Sequence, residues 1–339
     1  MKVLVTGGTG FVGSHLVEKL LEKKYEVHCI CRNTNNLQHL KSLPRSANLR
    51  LINMDISDPS SYNILTDILK DIDYTYHIAG LIKAYRAEDY DRANFLATKY
   101  LIDATAKAAN KNLKRFLYLS SLAAAGPAED VQGITEESPC RPVSYYGLSK
   151  LKGEIAVNYY KASLPITILR PPPVYGPRDS GLLFFFQAAA YGITPQFNQQ
   201  KHISLIYVKD LIDAIIRTSE DPRAAGQTYF TANSDYYPIN SIIKTISRIV
   251  NNNTVTIKLS DGVIKVITGF YESFCYALDM TPSIINSQKV LELSQNYWTC
   301  RTEKIKKDIG FESSTPVENG LRETANWYLQ KEWIANKRR

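Results

Sequence analysis

The stretch Thr6-Gly7-Gly8-Thr9-Gly10-Phe11-Val12-Gly13 decides the fold of this 339-residue chain. It follows the apolar run Val3-Leu-Val5, which is typical of a buried strand, and it opens a stretch with the apolar spacing of a helix. Glycines at positions 7, 10 and 13 let the backbone turn tightly, approach a ligand closely and pack the helix on the sheet. Free N–H groups and the positive dipole at the start of the helix favour an anion there.

The spacing of these glycines is GxxGxxG, whereas the common dinucleotide fingerprint is GxGxxG, and a glycine motif alone is weak evidence. The strand–turn–helix context favours the pyrophosphate of a dinucleotide, with a plain tight turn or a mononucleotide site as alternatives. The residues expected to contact this nucleotide are Gly7, Thr9, Gly10, Phe11, Val12 and Gly13.

Outward from the turn, short β-branched runs alternate with longer helical stretches, the pattern of βαβ crossovers and a parallel sheet. Strands are predicted near residues 2–6, 26–31, 49–53, 73–77, 114–119 and 166–170, and helices near 11–23, 60–70, 92–109 and 144–164. The sequence therefore predicts an α/β protein with a Rossmann-type doubly wound parallel sheet.

Past Arg170, prolines and glycines break this alternation. We expect residues 1–170 to form the dinucleotide-binding domain, extended by crossover segments, and residues 171–339 to form mainly a smaller α/β substrate lobe. Within that lobe, 182–186 is read as either an apolar pocket wall or a buried helix, and 316–333 as a structural capping helix.

Two positions bear on the adenosine half of the nucleotide. Arg32 follows the second predicted strand, where an NAD-binding protein usually has Asp or Glu, so its charge favours the 2′-phosphate of NADP(H), with NAD(H) possible. Asp55 follows the third strand, where it either accepts from the adenine amino group or caps the next turn. Ile56, beside it, is placed at the cofactor too.

Tyr146 and Lys150 lie four residues apart at the start of a predicted helix and therefore share one face. A free tyrosine has a pKa near ~10, so an adjacent ammonium and a positively charged nicotinamide ring are needed to make it a base at neutral pH. Ser121 follows the strand 114–119 and puts a hydroxyl at the carboxyl edge of the sheet. The combination predicts a catalytic set of Ser121, Tyr146 and Lys150.

Composition limits the other classes of function. The five cysteines are odd in number and have no CxxC spacing, so neither a disulfide framework nor a metal site is predicted, and Cys29 and Cys31 are interpreted as packing residues. The net charge of +8, with basic groups near Lys304 and at 337–339, lacks the interleaved aromatics of a nucleic-acid surface. No membrane span and no signal peptide are predicted, so the expected location is cytoplasmic.

The motifs together resemble the extended short-chain dehydrogenase/reductases, also called NAD-dependent epimerase/dehydratases. The resemblance covers the whole chain and rests on TGGTGFVG, Asp55, His77-Ile-Ala-Gly80, Asn94, Ser121, YGLSK (residues 146–150) and RPPPVYGPRD (residues 170–179). It implies that Tyr146 is the general acid/base, that Lys150 binds the nicotinamide ribose and tunes Tyr146, and that Ser121 binds the reacting oxygen.

The same resemblance implies further cofactor contacts. Ala79 and Gly80 would pass near the ribose, Asn94 would lie near the cofactor, and Pro173 and Val174 would meet the nicotinamide end. His77 is interpreted as a core residue. By resemblance, helices 92–109 and 144–164 would pair with their copies in a homodimer.

Family members either oxidise or reduce a small-molecule substrate, or return the hydride to it as epimerases and dehydratases. Pro173 replaces the asparagine with which sugar-nucleotide enzymes meet the substrate diphosphate, and proline has neither an amide side chain nor an N–H. Arg178, Lys201 and Arg301 are candidate substitutes for that clamp. RPPPVYGPRD is similar to the dihydroflavonol-reductase-like and 3β-hydroxysteroid-dehydrogenase-like branch.

The favoured hypothesis is therefore an NAD(P)-dependent oxidoreductase of a small or lipid-like carbonyl or alcohol. The alternatives are a nucleotide-sugar epimerase or dehydratase, and a non-catalytic dinucleotide-binding sensor. The intact Ser121, Tyr146 and Lys150 argue against the sensor, since a pure binder has no use for a tuned phenol.

Overall fold

The glycine turn joins an inner strand of a seven-stranded parallel sheet to the first helix. The computed structural model describes residues 1–32, 37, 39–41, 48–251, 253–260, 262 and 287–335. The strands of the large sheet are β1 (Lys2–Thr6), β2 (Glu26–Cys31), β3 (Leu49–Asn53), β4 (Tyr74–His77), β5 (Arg115–Leu119), β6 (Ile166–Arg170) and β11 (Gln227–Phe230). The predicted Rossmann-type fold class is confirmed.

The sheet order is β11-β6-β5-β4-β1-β2-β3, and every pair of neighbours is parallel. The chain builds outward from β1 in one direction, then returns to β4 on the other side, so β1 and β4 form the switch point. In such sheets a ligand binds in the crevice beyond the carboxyl ends of the strands at this point. The glycine turn lies there.

Helices cover both faces of the sheet, because successive strand residues point to opposite sides. Val3 and Val5 pack with α1 (Phe11–Glu22) and α8 (Val208–Glu220), whereas Leu4 packs into the other cluster with α2 (Tyr62–Leu69) and α4 (Ala97–Ala108). All three of these β1 side chains are fully buried. Burial of each stabilises the fold by about 1.5–3 kcal/mol.

The remaining elements of the first half surround the carboxyl edge of the sheet. They are α3 (Ala87–Tyr90), a π-helix (Asp91–Leu96) that continues into α4, the one-turn α5 (Leu122–Ala125) and α6 (Tyr145–Asn158). The predicted helix 92–109 therefore starts as a π-helix, and the helix predicted near 144–164 ends at Asn158.

The second half forms small sheets and the helices packed on them. Its strands are β7 (Val174–Tyr175), β8 (Ile193–Phe197), β9 (His202–Ser204), β10 (Ile206–Tyr207), β12 (Tyr236–Pro238), β13 (Val255–Leu259) and β14 (Tyr297–Trp298). Its helices are α7 (Leu183–Ala190), α8 as given above, α9 (Ile239–Val250), α10 (Ser287–Leu293), α11 (Glu303–Ile309) and α12 (Val317–Gln330). The helical period predicted for 316–333 is confirmed, since α12 buries Val317, Leu321, Ala325 and Tyr328.

Strand β11 is absent from the sequence-based prediction. It is a short QTYF segment that follows a 3₁₀ turn at Pro222–Ala224, and it pairs with β6 through Thr228 and Ile168. The second half of the chain thus supplies an edge strand of the large sheet as well as α8 on its face.

Some predictions concern packing and composition. Cys29 and Cys31 are buried in the sheet as predicted, whereas Cys275 and the basic residues 337–339 lie outside the described residues. Helix α7 buries Phe186 and exposes nearly half of Phe184, so the segment is a partly buried helix. Among the residues with a described position, no helix has both the length and the apolarity to span a bilayer.

Candidate active site

The glycine turn is packed so closely that side chains cannot enter it. Gly7 has φ +73°, and a Cβ there would lie 2.6 Å from the backbone nitrogen of Ala79. A Cβ on Gly13 would lie 2.1 Å from the Gly7 carbonyl oxygen. Gly10 is the N-cap residue directly before α1, is exposed and has no side chain to cover the first turn of the helix. These features form a cradle open to an anion at the helix N-terminus.

Sequence reasoning missed the part that Gly8 plays in this turn. A Cβ on Gly8 would lie 2.5 Å from the Cys29 sulfur and 3.0 Å from the Val17 side chain, so only glycine lets α1 settle against β2. The doubled glycine in the motif was the available signal.

The loop after β4 meets the glycine turn at the switch point. The backbone N–H of Ala79 donates to the Thr6 hydroxyl at 3.2 Å, and Gly80 is exposed. Asn94 is fully buried and fixes this loop: its Oδ1 accepts from the Leu81 N–H at 2.7 Å, and its Nδ2 donates to the Leu81 carbonyl at 2.9 Å. In the structure Asn94 therefore orders the backbone that follows Gly80.

His77 lies in the core, as predicted. Its ring is held between the hydroxyls of Thr6, at 2.6 Å, and Thr98, at 2.8 Å. Thr98 already donates to the Asn94 carbonyl, so His77 Nε2 must donate to Thr98, and Nδ1 must accept from Thr6. Burial, followed by the charge of Lys150, lowers the pKa of His77 to about 3.

Tyr146 and Lys150 lie at the start of α6, one turn apart. The Lys150 ammonium is buried, donates to the Leu119 carbonyl at 2.7 Å and lies 4.2 Å from the centre of the Tyr118 ring. Burial lowers the pKa of Lys150 to about 7, although the Glu154 carboxylate acts in the opposite direction. The lysine is thus held at the carboxyl end of β5.

Tyr146 is half-buried and packs 6.3 Å from the ring of Tyr90. Burial raises the pKa of Tyr146 to about 12, against a hydrogen bond with Ser121 and together with the charge of Glu292. Without a further positive charge, this phenol therefore keeps its proton at neutral pH.

Ser121 begins α5 in extended backbone. Its Oγ accepts from the backbone N–H of Ala123 at 3.1 Å, which leaves the hydroxyl proton for another oxygen. The structure thus brings Ser121, Tyr146 and Lys150 together at the carboxyl edge of the sheet, where the sequence placed them.

Sequence reasoning missed a buried ion pair behind this set. Glu154 lies one turn beyond Lys150, and its carboxylate accepts two bonds from Arg170, at 2.9 Å from Nε and 2.6 Å from Nη2. Ser120 donates to the same carboxylate. Both charged side chains are over nine-tenths buried. The signal was the spacing of Tyr146, Lys150 and Glu154 on one helical face, continued by Arg170 at the end of β6.

The residues predicted at the adenosine end lie around the ends of β2 and β3. Arg32 is exposed directly after β2, and the next residue, Asn33, lies outside the described residues. Asp55 accepts from the Ser57 N–H at 2.9 Å and lies 3.3 Å from Arg92, so it makes the turn contact that was its alternative interpretation. Ile56 directs its side chain into the core.

Burial opposes the ionised form of Asp55, but hydrogen bonds from Ser57 and the charges of Arg32 and Arg92 outweigh it and lower the pKa of this carboxyl. Arg32 therefore acts on the end of β3 as well as on the space beyond β2.

At the other end of the cleft, Pro173 is exposed, and Val174 starts β7, which pairs with β10. The three cations proposed as a diphosphate clamp have other partners. Arg178 donates to Glu18 at 2.8 Å and to Ser14 at 3.2 Å, which ties it to α1. Lys201 is buried and donates to the Leu293 carbonyl, and Arg301 pairs with Glu303 at 2.9 Å.

The parallel sheet, the glycine cradle at its switch point, and Tyr146 and Lys150 one helical turn apart at the carboxyl edge define a Rossmann-type enzyme of the nicotinamide dinucleotides. The model of the NAD dependent epimerase/dehydratase family matches residues 3–231, and the chain belongs to this family. Its members include the extended short-chain dehydrogenase/reductases that the motifs resemble.

Similar proteins span nearly the whole chain. A ceramide reductase of Caulobacter vibrioides is 27% identical over 98% of this chain and 96% of its own length. The sterol-4-alpha-carboxylate 3-dehydrogenase (decarboxylating) of Mus musculus is 24% identical over 95% of this chain and 90% of its own. The solved UDP-glucuronic acid 4-epimerase of Bacillus cereus, in complex with NAD, has a TM-score of 0.77 at 22% identity over 98% of this chain and 99% of its own. The reductase and the dehydrogenase are thus relatives of this chain, and the epimerase shares its fold.

The cradle yields a prediction for Gly13→Ala. Because the new methyl would meet the Gly7 carbonyl, the turn must open, and we expect binding of NADPH and NADH to weaken about tenfold or more. Isothermal titration calorimetry with each nucleotide measures the effect. Gly310→Ala is the control: a Cβ there would have no atom within 4 Å, and its cost comes instead from the positive φ of +69°, which Gly13, inside α1, does not have. It should cost about 1 kcal/mol of stability and leave nucleotide binding unchanged.

A second prediction concerns Glu154→Gln. The substitution leaves the buried Arg170 guanidinium without its counter-charge, and we expect the free energy of unfolding to fall by about 3–5 kcal/mol. Glu129→Gln, in an exposed pair with Arg141, should change it by about 0–1 kcal/mol. Urea denaturation of both variants provides the comparison, and equal losses would contradict this account of Glu154.

Proposed function

We propose that this enzyme transfers hydride between a nicotinamide dinucleotide, NADP(H) in preference to NAD(H), and a small or lipid-like carbonyl or alcohol, with Tyr146 as the acid/base. One observation carries the choice of substrate class: Arg178, Lys201 and Arg301, the three candidates for a diphosphate clamp, all bind other protein groups. For the diphosphate of a sugar nucleotide, the site would therefore offer neither these three cations nor an asparagine, since position 173 is proline.

The relatives support this choice. The names of the ceramide reductase and the sterol dehydrogenase, which match over almost their full lengths, both refer to lipid substrates. The exposed face of α7, with Phe184, offers apolar surface within the second half of the chain. Apolar surface of this kind is what a lipid-like substrate requires.

The described residues fit a nicotinamide dinucleotide, since the closely packed glycine turn leaves the N-terminus of α1 uncovered at the exposed Gly10. In this proposal the nucleotide is held by the residues predicted from the sequence, namely Gly7, Thr9, Gly10, Phe11, Val12, Gly13, Arg32, Asp55, Ile56, Ala79, Gly80, Asn94, Tyr146, Lys150, Pro173 and Val174. When bound, it supplies or accepts the hydride.

In this proposal, residues of the chain transfer the proton that accompanies the hydride. In reduction, Tyr146 gives its phenolic proton to the substrate oxygen as the carbonyl carbon gains a hydride, and Ser121 donates a hydrogen bond to the same oxygen. The buried Lys150 ammonium stabilises the phenolate that remains. Burial raises the pKa of Tyr146 to about 12, so the phenol holds the proton that the reduction needs.

The acid/base role predicts the behaviour of Tyr146→Phe. Loss of the hydroxyl removes the proton donor, and we expect kcat for ketone reduction to fall about 10²–10⁴-fold while nucleotide binding is retained. The adjacent Tyr145→Phe, at a side chain that is nearly half exposed, is the matched control and should keep full turnover. NADPH absorbance with a panel of long-chain ketones measures both variants.

The same screen separates the alternatives. Net NADPH consumption with a ketone supports the proposal. Conversion of UDP-glucose or a dTDP-sugar without a net change in NADPH would replace it with an epimerase or dehydratase. Nucleotide binding without turnover of either class would indicate a sensor, and full activity in Tyr146→Phe would contradict the acid/base assignment.

Preference for NADP(H) rests on the exposed Arg32 after β2. A charge-assisted contact to the 2′-phosphate contributes about 1.5–3 kcal/mol, so Arg32→Ala should weaken NADPH binding about 10–100-fold and change NADH binding little. Arg50→Ala, on the exposed face of β3, is the control. An unchanged NADPH affinity in Arg32→Ala would remove the preference from the proposal.

The proposal also includes the oligomeric state, the division into domains and the cellular location. A homodimer is supported by three exposed apolar side chains at helical spacing on or just beyond α6: Leu148, Ile155 and Tyr159, which are 42%, 63% and 82% exposed. The division into a nucleotide domain (1–170) and a substrate lobe (171–339), and the cytoplasmic location, stay predictions.

A further inference from the structure

Helix α10 contacts the first turn of α6, where Tyr146 lies. Gln288 Oε1 accepts from the backbone N–H of Tyr145 at 2.9 Å. Ser144 accepts from the Gly147 N–H at 3.1 Å and donates its own proton to Glu292 Oε1 at 2.7 Å. The first N–H groups of a helix have no partner within it, and here α10 helps to satisfy them. The two residues before Tyr146 are therefore fixed by groups from the second half of the chain.

The other side of α10 is fastened to the small sheet of the second half. The indole N–H of Trp298, in β14, donates to the Glu292 carbonyl at 2.7 Å. The buried Lys201, just before β9, donates to the Leu293 carbonyl at the end of α10, where a cation is favourable. Because β14 and β9 pair with each other, α10 connects this sheet to the start of α6.

Glu292 also brings a negative charge close to Tyr146. Its side chain is only 11% exposed and pairs with Lys289 at 2.8 Å. The described titratable groups that act on Tyr146 are Tyr90 on α3 and Glu292 on α10, and Lys150 lies one turn further along α6 itself. Of the groups on other elements, Glu292 is the charged one, and its carboxylate adds to the effect of burial in raising the pKa of Tyr146.

We infer that the Ser144–Glu292 contact is a positioning contact for catalysis, through which the second half of the chain holds Tyr146 in place and sets a negative charge beside it. Glu292 acts through Ser144 and through its charge, and it is a positioning residue. The inference rests on the proposed role of Tyr146 as acid/base.

The sign of the effect follows from the charges. A carboxylate disfavours the phenolate, so removing its charge lowers the pKa of Tyr146. Glu292→Gln keeps an oxygen that accepts from Ser144 and removes only the charge, so the helix start is retained. In ketone reduction, the limb of the pH profile at which Tyr146 loses its proton should then move to lower pH.

The test is a titration of Tyr146 by ¹³C NMR on protein labelled at the tyrosine ζ carbon, with and without saturating NADP⁺. The Tyr146 signal is the one missing from Tyr146→Phe. We expect Glu292→Gln to titrate about half a pH unit or more below the parent. Glu318→Gln, whose exposed partner is Arg322 on α12, should titrate with the parent. Coincident curves for Glu292→Gln and the parent would overturn the role of the charge.

A separate variant tests the hydrogen bond by which Trp298 holds α10. Trp298→Phe keeps the aromatic ring and loses the N–H that holds the Glu292 carbonyl. We expect the Tyr146 signal to move in this variant, and an unmoved signal would overturn the connection through α10.

These readouts need no substrate, so the two proposals fail separately. A shifted Tyr146 titration without turnover of any ketone would leave this inference standing and reject the proposed substrate class. Ketone turnover with an unshifted titration would do the reverse.

Discussion

A buried positive charge organises this site. Lys150 lies on the same helix as Tyr146, and its ammonium is held by one carbonyl of β5 and by the face of the Tyr118 ring. An isolated ammonium is costly away from water, so burial lowers the pKa of Lys150 to about 7, while the Glu154 carboxylate one turn further on the same helix acts in the opposite direction. Glu154 is in turn neutralised by Arg170 from β6. From the cleft into the core, the positive Lys150, the negative Glu154 and the positive Arg170 follow one another. They bind α6 to the carboxyl ends of β5 and β6.

The second constraint is the close approach of two backbones at the switch point. The turn after β1 and the loop after β4 lie so close together that a side chain at Gly7 would clash with the loop backbone. Asn94 fixes the loop after β4 through a hydrogen bond to its backbone. Both loops point the same way because β1 and β4 are parallel neighbours. The glycine turn and the Tyr146–Lys150 pair therefore share one edge of one sheet, and the family to which the chain belongs carries out several reactions.

The second half of the chain adds to the large sheet and to the surroundings of α6. It gives the large sheet its last strand, and it turns the available cations towards α1, α10 and Glu303. The same part of the chain supplies α10, which meets the first turn of α6. The residues on which the proposed substrate class and the proposed control of Tyr146 rest thus lie in the portion whose elements are short and irregularly spaced.

The sequence by itself determined the parallel sheet, the glycine turn and the Tyr146–Lys150 pair. Each of these is local: alternating apolar runs, glycines at fixed offsets and a four-residue helical spacing carry their geometry with them. The sequence also placed His77 in the core and Ser121 at the end of its strand.

Only the tertiary structure decided which distant charged and polar groups meet. Glu154 with Arg170, Arg178 with Glu18 and Ser144 with Glu292 join residues from different elements, and no local pattern fixes such pairs. The strand β11 was likewise invisible, because four residues show too little periodicity and their pairing with β6 comes from the packing of α8 and the sheet. Local preferences set which elements form, whereas burial sets the partner that each buried charge must find.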